Sequence, residues 1–498
     1  MFEKITPEQA GVDSRAVEKY ISVIQKYGVV PHSVLMMKGT SLFAEYYWAP
    51  FHKDFLHRMY SQTKSYVSIA IGLLEEEGKL SLDDTIVSHF PEKIRRELPE
   101  YLKGQTIRHM LTMCTVGGAP NWFAVPDPDR TDLYLNTITA PHPAGTVWGY
   151  DSQGSQVLSS LVEKLSGMSL FDYLKSKVLD KLGTFRTARI LKTRNEDSWG
   201  DSALLCTSRD MISFGRFVMN YGLWNGERLM NEKYLKDATS ALVDNNEDGK
   251  VGCFTHGYGY QIWKTQKDGF AFVGMGDQLT IAIPSKDFLF TCTADDQFSP
   301  VARATIVNNL FELIIDPMED GALAPNPAAE ASLAAATAHL ELAHVEGKAS
   351  TAFAEKINGV TFTAAPNKTG IERFSLSIDE KGEGVFRYTN AQGDKEIPFG
   401  MLHNAFAPFP QNGYSDEHGG TVSPDGYYYD CAVSGAWREE KKLMLRGYII
   451  DKYLGNFTFI FSFKDEALVH VRMIGNAENF LGEYNGDFMA KANQYRTP

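Results

Sequence analysis

Met59-Tyr60-Ser61-Gln62-Thr63-Lys64, continued by Ser65-Tyr66-Val67-Ser68-Ile69-Ala70-Ile71-Gly72-Leu73-Leu74, is the stretch whose reading decides the fold. Val67, Ile71 and Leu74 recur at i, i+4 and i+7, while Ile69, Ala70 and Leu73 fill much of the other side. A helix apolar nearly all round is a buried one. Gly78 supplies a stop, and Glu75-Glu76-Glu77 before it reads as a solvated helix end. Ser61 and Lys64 stand three apart, so on a helix their side chains share a face. A serine hydroxyl is a poor nucleophile until a base takes its proton. A lysine amine can take it when burial and neighbouring cations favour the neutral form. The N–H groups of the helix's first turn would meet a developing oxyanion. A bare S-x-x-K arises by chance in most chains of this length. Its place at the mouth of a buried helix gives it weight.

Around this helix the periodicity changes in blocks. Ser14 to Tyr27 has helical spacing through Val17, Tyr20, Ile21 and Ile24. Ser33–Met37 and Leu42–Tyr47 read as two strands turning at Lys38-Gly39-Thr40. Leu80 to about Tyr221 is mainly helical, with Ile107–Met113, Val157–Lys164, Leu170–Val178 and Ser208–Tyr221 as its clearest segments. Ser208 is the expected N-cap of the last of these, with Asp210 in its first turn. Strands return at Tyr258–Trp263, Phe270–Val273, Leu279–Ile283 and Phe288–Cys292, and a helix follows from Pro300 to Ile315. Strands from both ends of this region bracket a helical middle, which predicts one sheet with an inserted helical subdomain. Ala322 to Ala329 is a linker candidate, followed by an Ala-rich helix to about Val345. From Gly359 onward alternating runs dominate, including Arg373–Ile378, Lys442–Arg446, Phe457–Phe461 and Leu468–Val471. They predict an antiparallel sheet or small barrel.

The 498 residues suffice for two or three cored domains, with 43% hydrophobic and 22% charged residues as in ordinary globular proteins. A net charge of −13 argues against nucleic acid or an anionic membrane as a main partner. The five cysteines are odd in number and widely spaced, without C-x-x-C, so buried free thiols are expected rather than disulfides or zinc. The N-terminal residues lack a basic and apolar leader pattern, and no apolar run reaches membrane-spanning length. A cytoplasmic location is therefore expected.

Three further stretches gather round the serine: Pro143-Ala144-Gly145-Thr146-Val147-Trp148-Gly149-Tyr150-Asp151-Ser152, Ile107-Arg108-His109-Met110-Leu111-Thr112 and Trp224-Asn225-Gly226-Glu227. With Tyr60–Ser65 they resemble the serine β-lactamase and penicillin-binding-protein superfamily. The nearest branch looks like the class C group, with its esterases, D-aminopeptidases and 6-aminohexanoate-dimer hydrolases. The resemblance covers roughly residues 5 to 316. It implies an α/β (α+β) chain in which residues 1–318 form a catalytic domain of antiparallel sheet flanked by helices, plus a helical subdomain. Residues 319–345 would then be linker and helix, and 346–498 a β-rich, barrel-like C-terminal domain.

Carried over residue by residue, the resemblance makes Ser61 the acyl-accepting nucleophile and Lys64 its base. Tyr150 takes the first position of the Y-x-N element, sharing proton transfer as a phenolate beside the lysine ammonium. The bland reading of Tyr150 is an ordinary buried tyrosine, and the flanking Gly-Thr and Asp-Ser favour the catalytic one. Ser152 stands where the element has Asn, with shorter reach and no amide. The third motif, K-T-G or H-x-G on a strand edge, falls on Phe272-Val273-Gly274-Met275-Gly276-Asp277-Gln278. Phe272 there replaces the cation that recognises a β-lactam or peptide carboxylate. Gly274 still permits close backbone approach. The Met275 N–H would join that of Ser61 as an oxyanion hole, and a shifted alignment would put Asp277 in its place. His109 and His256 read as structural, as does Asp295-Asp296 at a strand end. Trp122, Trp148 and Trp263 read equally as acyl-pocket wall or core.

The expected protein is a serine hydrolase that cleaves a small-molecule ester or amide through an acyl-enzyme on Ser61, with no metal or other cofactor. Esterase or amidase is preferred to β-lactamase because of Phe272. The alternatives are a D-amino-acid peptidase or amide-oligomer hydrolase, a β-lactamase-type hydrolase, or a catalytically silent binding or sensor protein, the last motivated by Ser152 and Phe272. Phe406–Tyr414 and Tyr427–Asp430 read as aromatic loops of the C-terminal domain. Either that domain only stabilises, or one of these loops walls the site. Oligomeric state stays open.

Overall fold

Alternation along the strand Phe270–Gly274 sets the architecture. Phe270 and Phe272 belong to one hydrophobic core, and Ala271 and Val273 to another. A strand buried on both faces needs this arrangement, with cover on each side. The computed structural model describes residues 2–125, 129–246, 252–297, 299–420, 422–423, 428–477 and 480–493. It divides into two compact units, Met1–Glu341 with Asp416–Gly419, and Leu342–Ser415 with Gly420–Pro498.

The first unit holds a sheet in the order Glu3–Lys4, Ser41–Tyr47, Pro31–Lys38, Phe288–Ala294, Gln278–Ile283, Phe270–Gly274, Trp263–Lys264. All its pairings are antiparallel except that of the Glu3–Lys4 edge. Helix Ser14–Lys26, capped by the Asp13 carboxylate, lays Val17, Tyr20, Ile21 and Ile24 on one face with Ile306, Val307 and Leu310 of helix Ala302–Leu310. The other face carries the helical subdomain, where Val67, Ile71 and Leu74 of helix Thr63–Glu76 meet Phe214, Phe217 and Leu161. Both ends of this region thus build one sheet and the middle forms the helical subdomain. Gly78, with φ +68°, stands just past the Thr63–Glu76 helix.

Some local expectations shift. Helix Ser208–Met219 is capped by Thr207, not Ser208: the Thr207 hydroxyl accepts the Asp210 N–H while Asp210 accepts the Thr207 N–H, a closed capping box. Extended structure near Tyr258 reaches only Trp263–Lys264, because Gln261 adopts φ +54°. The segment read as linker and helix contains helix Pro327–Thr337, which packs on Ser14–Lys26 within the first unit.

In the second unit Gly393–Met401, Glu383–Asn390, Arg373–Ile378, Thr361–Ala364, Gly486–Ala492, Leu468–Ala477, Gly455–Phe463, Lys442–Ile450 and Tyr428–Glu439 follow one another as paired strands. Parallel pairing of Gly400 with Ser434 closes the ring, giving a barrel of nine strands among the described residues. Ala405–Asn412 pairs antiparallel with residues 428–433, on the same edge of Tyr428–Glu439. The aromatic stretches read as loops are therefore largely strand. Phe406 is exposed whereas Phe409 packs 5.3 Å from both Phe457 and Tyr484. Tyr427 lies outside the described residues.

Candidate active site

Ser61 sits in a short 3₁₀ turn, Tyr60–Gln62, that runs straight into helix Thr63–Glu76. Tyr60 has φ +47°, a left-handed conformation that a bulky residue adopts at a cost of about 1–3 kcal/mol. The turn is held from several sides. Met59 N–H donates to Leu204 O at 2.8 Å, the Thr63 hydroxyl donates to Tyr60 O at 2.7 Å, and Leu204 N–H donates to the Thr63 hydroxyl at 3.1 Å. Thr280 of the sheet donates to Gln62 Oε1 at 3.2 Å.

Lys64 is fully buried, and its Nζ donates to Ser61 Oγ at 3.0 Å and to the Asp201 backbone oxygen at 2.7 Å. The Asp201 carboxylate lies 3.9 Å from the same Nζ. The Tyr150 ring centroid lies 5.2 Å from the same Nζ. Its hydroxyl has no hydrogen-bond partner among the described residues, and the residue is 41% exposed. The ring stacks on Trp263 at 5.7 Å, and Trp263 in turn meets Trp148 and Tyr258. The turn that presents Tyr150 is anchored by Gly145 N–H to Cys114 O at 2.8 Å and Gly149 N–H to Met113 O at 2.9 Å. This explains the Ile107–Thr112 stretch: it is the platform under the tyrosine, and His109 serves there as half of a capping box with Thr106.

Ser152 begins helix Ser152–Ser166, and neither hydrogen bond of Lys64 reaches it. Its neighbour Asp151 is the cap, a buried carboxyl that desolvation pushes up although Gly154 N–H, Thr115 and Tyr134 donate to it.

Phe272 is not at the site. Its ring is fully buried, 5.7 Å from Phe214 and 5.8 Å from Phe270. The residue of this strand that meets the Ser61 turn is Gly274, where a Cβ would stand 2.1 Å from Met59 O. Only glycine lets the strand end so close. Met275 follows in the hairpin turn, and its N–H meets no acceptor among the described residues. Asp277 has φ +65° and is taken up by Arg303 at 2.7 Å. The residue of the strand edge beside the Ser61 turn is thus a glycine and not the phenylalanine that the motif alignment put there.

Sequence reading missed Arg58, Arg130, Trp199 and Asp201. Strand His57–Arg58 pairs with Leu204–Cys206, which sets the Trp199–Ser202 loop against the Ser61 turn. Arg58 lies 4.3 Å from the Tyr60 ring and 4.4 Å from that of Trp199, and donates to Ser202 O and Oγ at 2.9 Å each. Arg130 lies 4.7 Å from Trp199 and 4.6 Å from Trp122, and 3.7 Å from the Asp201 carboxylate. Trp122 therefore belongs to a buried stack, while Trp148 and Trp263 stand half-buried beside Tyr150. No motif or period marks these four residues; only a long-range strand pairing assembles them.

Among the described residues, one cluster has metal-ligand donor types, Glu196, Glu417 and His418. The Lys192 ammonium already serves both glutamates, at 2.8 and 3.1 Å. Cys114, Cys206, Cys253, Cys292 and Cys431 are free thiols.

A helix-flanked antiparallel sheet with serine and lysine at the mouth of its buried helix defines the β-lactamase and penicillin-binding-protein class of serine hydrolase. The Beta-lactamase family model matches residues 24–309, more than half of the sequence, and the chain belongs to that family. It is 24% identical over 263 residues to the 6-aminohexanoate-dimer hydrolase of Paenarthrobacter ureafaciens, a match spanning 49% of this chain and 66% of that one. It is 28% identical over 151 residues to penicillin-binding protein 4* of Bacillus subtilis strain 168, spanning 28% of this chain and 31% of the relative. The chain therefore spans less than two thirds of either relative. The octameric penicillin-binding protein homologue from Pyrococcus abyssi shares the fold at TM-score 0.50 and 15% identity, over 96% of this chain and 99% of that one. No helix among the described residues is long and apolar enough to cross a membrane.

Proposed function

We propose that the protein cleaves an ester or amide through a covalent acyl-enzyme on Ser61. The observation that carries this reading is the buried Lys64 amine 3.0 Å from the Ser61 hydroxyl, with the Tyr150 ring 5.2 Å from that amine. Ser61 Oγ attacks the substrate carbonyl while its proton passes to the Lys64–Tyr150 pair. The carbonyl electrons move onto oxygen, where the Ser61 and Met275 N–H groups stabilise them. Collapse re-forms the carbonyl and breaks the bond to the leaving group, which takes the proton from the same pair. Water, activated by that pair, then hydrolyses the acyl-enzyme and restores Ser61. The step needs no redox or electrophilic group beyond these residues.

Gly274 at the strand edge favours an acyl substrate without a carboxylate, and so an esterase or amidase over a β-lactamase. The test is labelling by a fluorophosphonate, located by mass spectrometry, followed by turnover of p-nitrophenyl esters, D- and L-aminoacyl amides and nitrocefin. An adduct on Ser61 with ester or amide turnover is expected. No adduct would sink the reading, and rapid nitrocefin hydrolysis without ester or amide turnover would reverse the substrate preference.

A further inference from the structure

Lys64 has to be held where it can act on Ser61, and the residue expected to help is too short. Ser152 replaces the asparagine whose amide would reach the lysine, and Lys64 donates to other oxygens. The oxygens available instead come from Asp201: its carbonyl at 2.7 Å and its carboxylate at 3.9 Å. The side chains of Lys64, Asp201 and Arg130 are 2%, 7% and 10% exposed, so this is an interior arrangement of cation, anion and cation. Arg130, spread between the rings of Trp122 and Trp199, holds the far side of the carboxylate at 3.7 Å. Arg58 fixes the next residue, Ser202, through both its carbonyl and hydroxyl. The loop carrying Asp201 is thus clamped by two arginines on either side of one tryptophan.

We propose that the Asp201 carboxylate, held by Arg130, is a positioning residue that gives Lys64 the fixed counter-charge and anchor that Ser152 cannot supply. This rests on the acyl-enzyme reading for its kinetic consequence but not for its positional consequence. The ionisable groups that meet Lys64 among the described residues are Asp201, from the loop before strand Leu204–Cys206, and Tyr150, from the turn before helix Ser152–Ser166. Arg130 of helix Arg130–Thr137 stands behind Asp201. Without the carboxylate the lysine keeps only the Asp201 backbone oxygen on that side and is less well placed toward Ser61.

The experiment compares wild type with Asp201→Asn, which keeps the backbone oxygen and the side-chain shape but removes the charge. Folding is checked by thermal melting. The rate of Ser61 labelling by a fluorophosphonate is measured from pH 5 to 10 in both proteins. We expect a roughly 10- to 100-fold slower reaction in the variant, as for other small misplacements of reacting groups. Asp201→Glu should recover part of the rate, and Arg130→Gln should slow labelling in the same direction. A folded Asp201→Asn protein that labels at the wild-type rate across this pH range overturns the proposal. Should the wild type itself fail to label, the acyl-enzyme reading falls. The proposal is then read by [13Cε]lysine NMR, with the Lys64 signal assigned through Lys64→Met. A Lys64 signal shifted or broadened at constant pH in Asp201→Asn supports it, and an unaltered signal defeats it.

Discussion

Ser61 and Gly274 show how differently two neighbouring residues constrain the site. In the proposed mechanism Ser61 carries the chemistry in one hydroxyl, at a turn whose backbone is fixed by other groups. Ser61→Ala should therefore melt within a few degrees of wild type while ester turnover falls by roughly 10³-fold or more, as when other serine nucleophiles are removed. A variant keeping most of its activity would place the nucleophile elsewhere. Gly274 carries no chemistry, but a Cβ there would stand 2.1 Å from Met59 O. Gly274→Ala must push the strand end away from the nucleophile turn, at a cost of about 1–3 kcal/mol, the usual range for an overpacked site. Because the displaced strand leads into the Met275 N–H, the drop should appear in kcat more than in KM, together with a lower urea midpoint. Equal kcat in the variant would remove Met275 from the oxyanion hole.

At the scale of elements, helix Ser208–Met219 offers a test without active-site chemistry. Its capping box satisfies two first-turn N–H groups through Thr207 and Asp210. Thr207→Ala should destabilise the first unit by about 1 kcal/mol, read as a lower urea midpoint with unchanged kcat/KM. An unchanged midpoint would mean that solvent replaces the cap. This helix also shows what sequence could and could not reveal. Its apolar period fixed its existence, but Thr207 and Ser208 are both good caps, and only the reciprocal bond to Asp210 chooses between them. The nucleophile helix was legible because burial all round leaves little choice of structure. The sheet strands were legible because Phe270, Phe272 and Leu289 oppose Ala271, Val273 and Phe290 across the two cores. Phe272 shows where the motif reading stopped: a pattern on a strand does not say which residue outlives the core and reaches the edge. Asp201 and its arginines were beyond reach for a different reason, since the pairing of His57 with Cys206 that assembles them spans far more sequence than any local period.

At the scale of the whole molecule, acid and the later part of the chain each bear on the first unit. His32 Nδ1 and His57 Nε2 lie 3.1 Å apart in its interior, packed on Phe51. Burial pushes His57 down to about 3 from an ordinary value of 6.5, and burial and the neighbouring ring push His32 well below it too. The unfolded chain takes up these protons near pH 6.5 and the folded chain far lower, so their contribution is intact above that pH and is lost as pH falls below it. Each histidine should remove up to ~1.4 kcal/mol of stability per pH unit between about pH 6.5 and 4.5. Glu45 does not disturb this window: burial opposes its charge, but hydrogen bonds from Arg209, Lys4 and Tyr47 hold it at about 2. Urea midpoints at pH 7.5, 6.0 and 5.0 should fall less steeply in His57→Gln, and an unaltered slope would clear the pair of the effect. The later chain acts through Asp416–Gly419, four residues grouped with the first unit. Lys192 N–H donates to Glu417 O at 2.8 Å and Gly419 N–H to Lys192 O at 2.9 Å, so the segment lies along the chain leading to Trp199. Gly419 has no room for a side chain, since a Cβ would stand 2.1 Å from Trp199 Cε3. Trp199 is the ring between Arg58 and Arg130, and that stack holds the loop whose carbonyl receives Lys64. Gly419→Val in the full chain should therefore displace the tryptophan and reduce kcat/KM about tenfold, while Ser61 still accepts a fluorophosphonate. A chain ending at Glu341 loses the same support and should fall in the same direction. Unchanged kcat/KM and substrate ranking in a folded Gly419→Val protein would confine Asp416–Gly419 to stability alone.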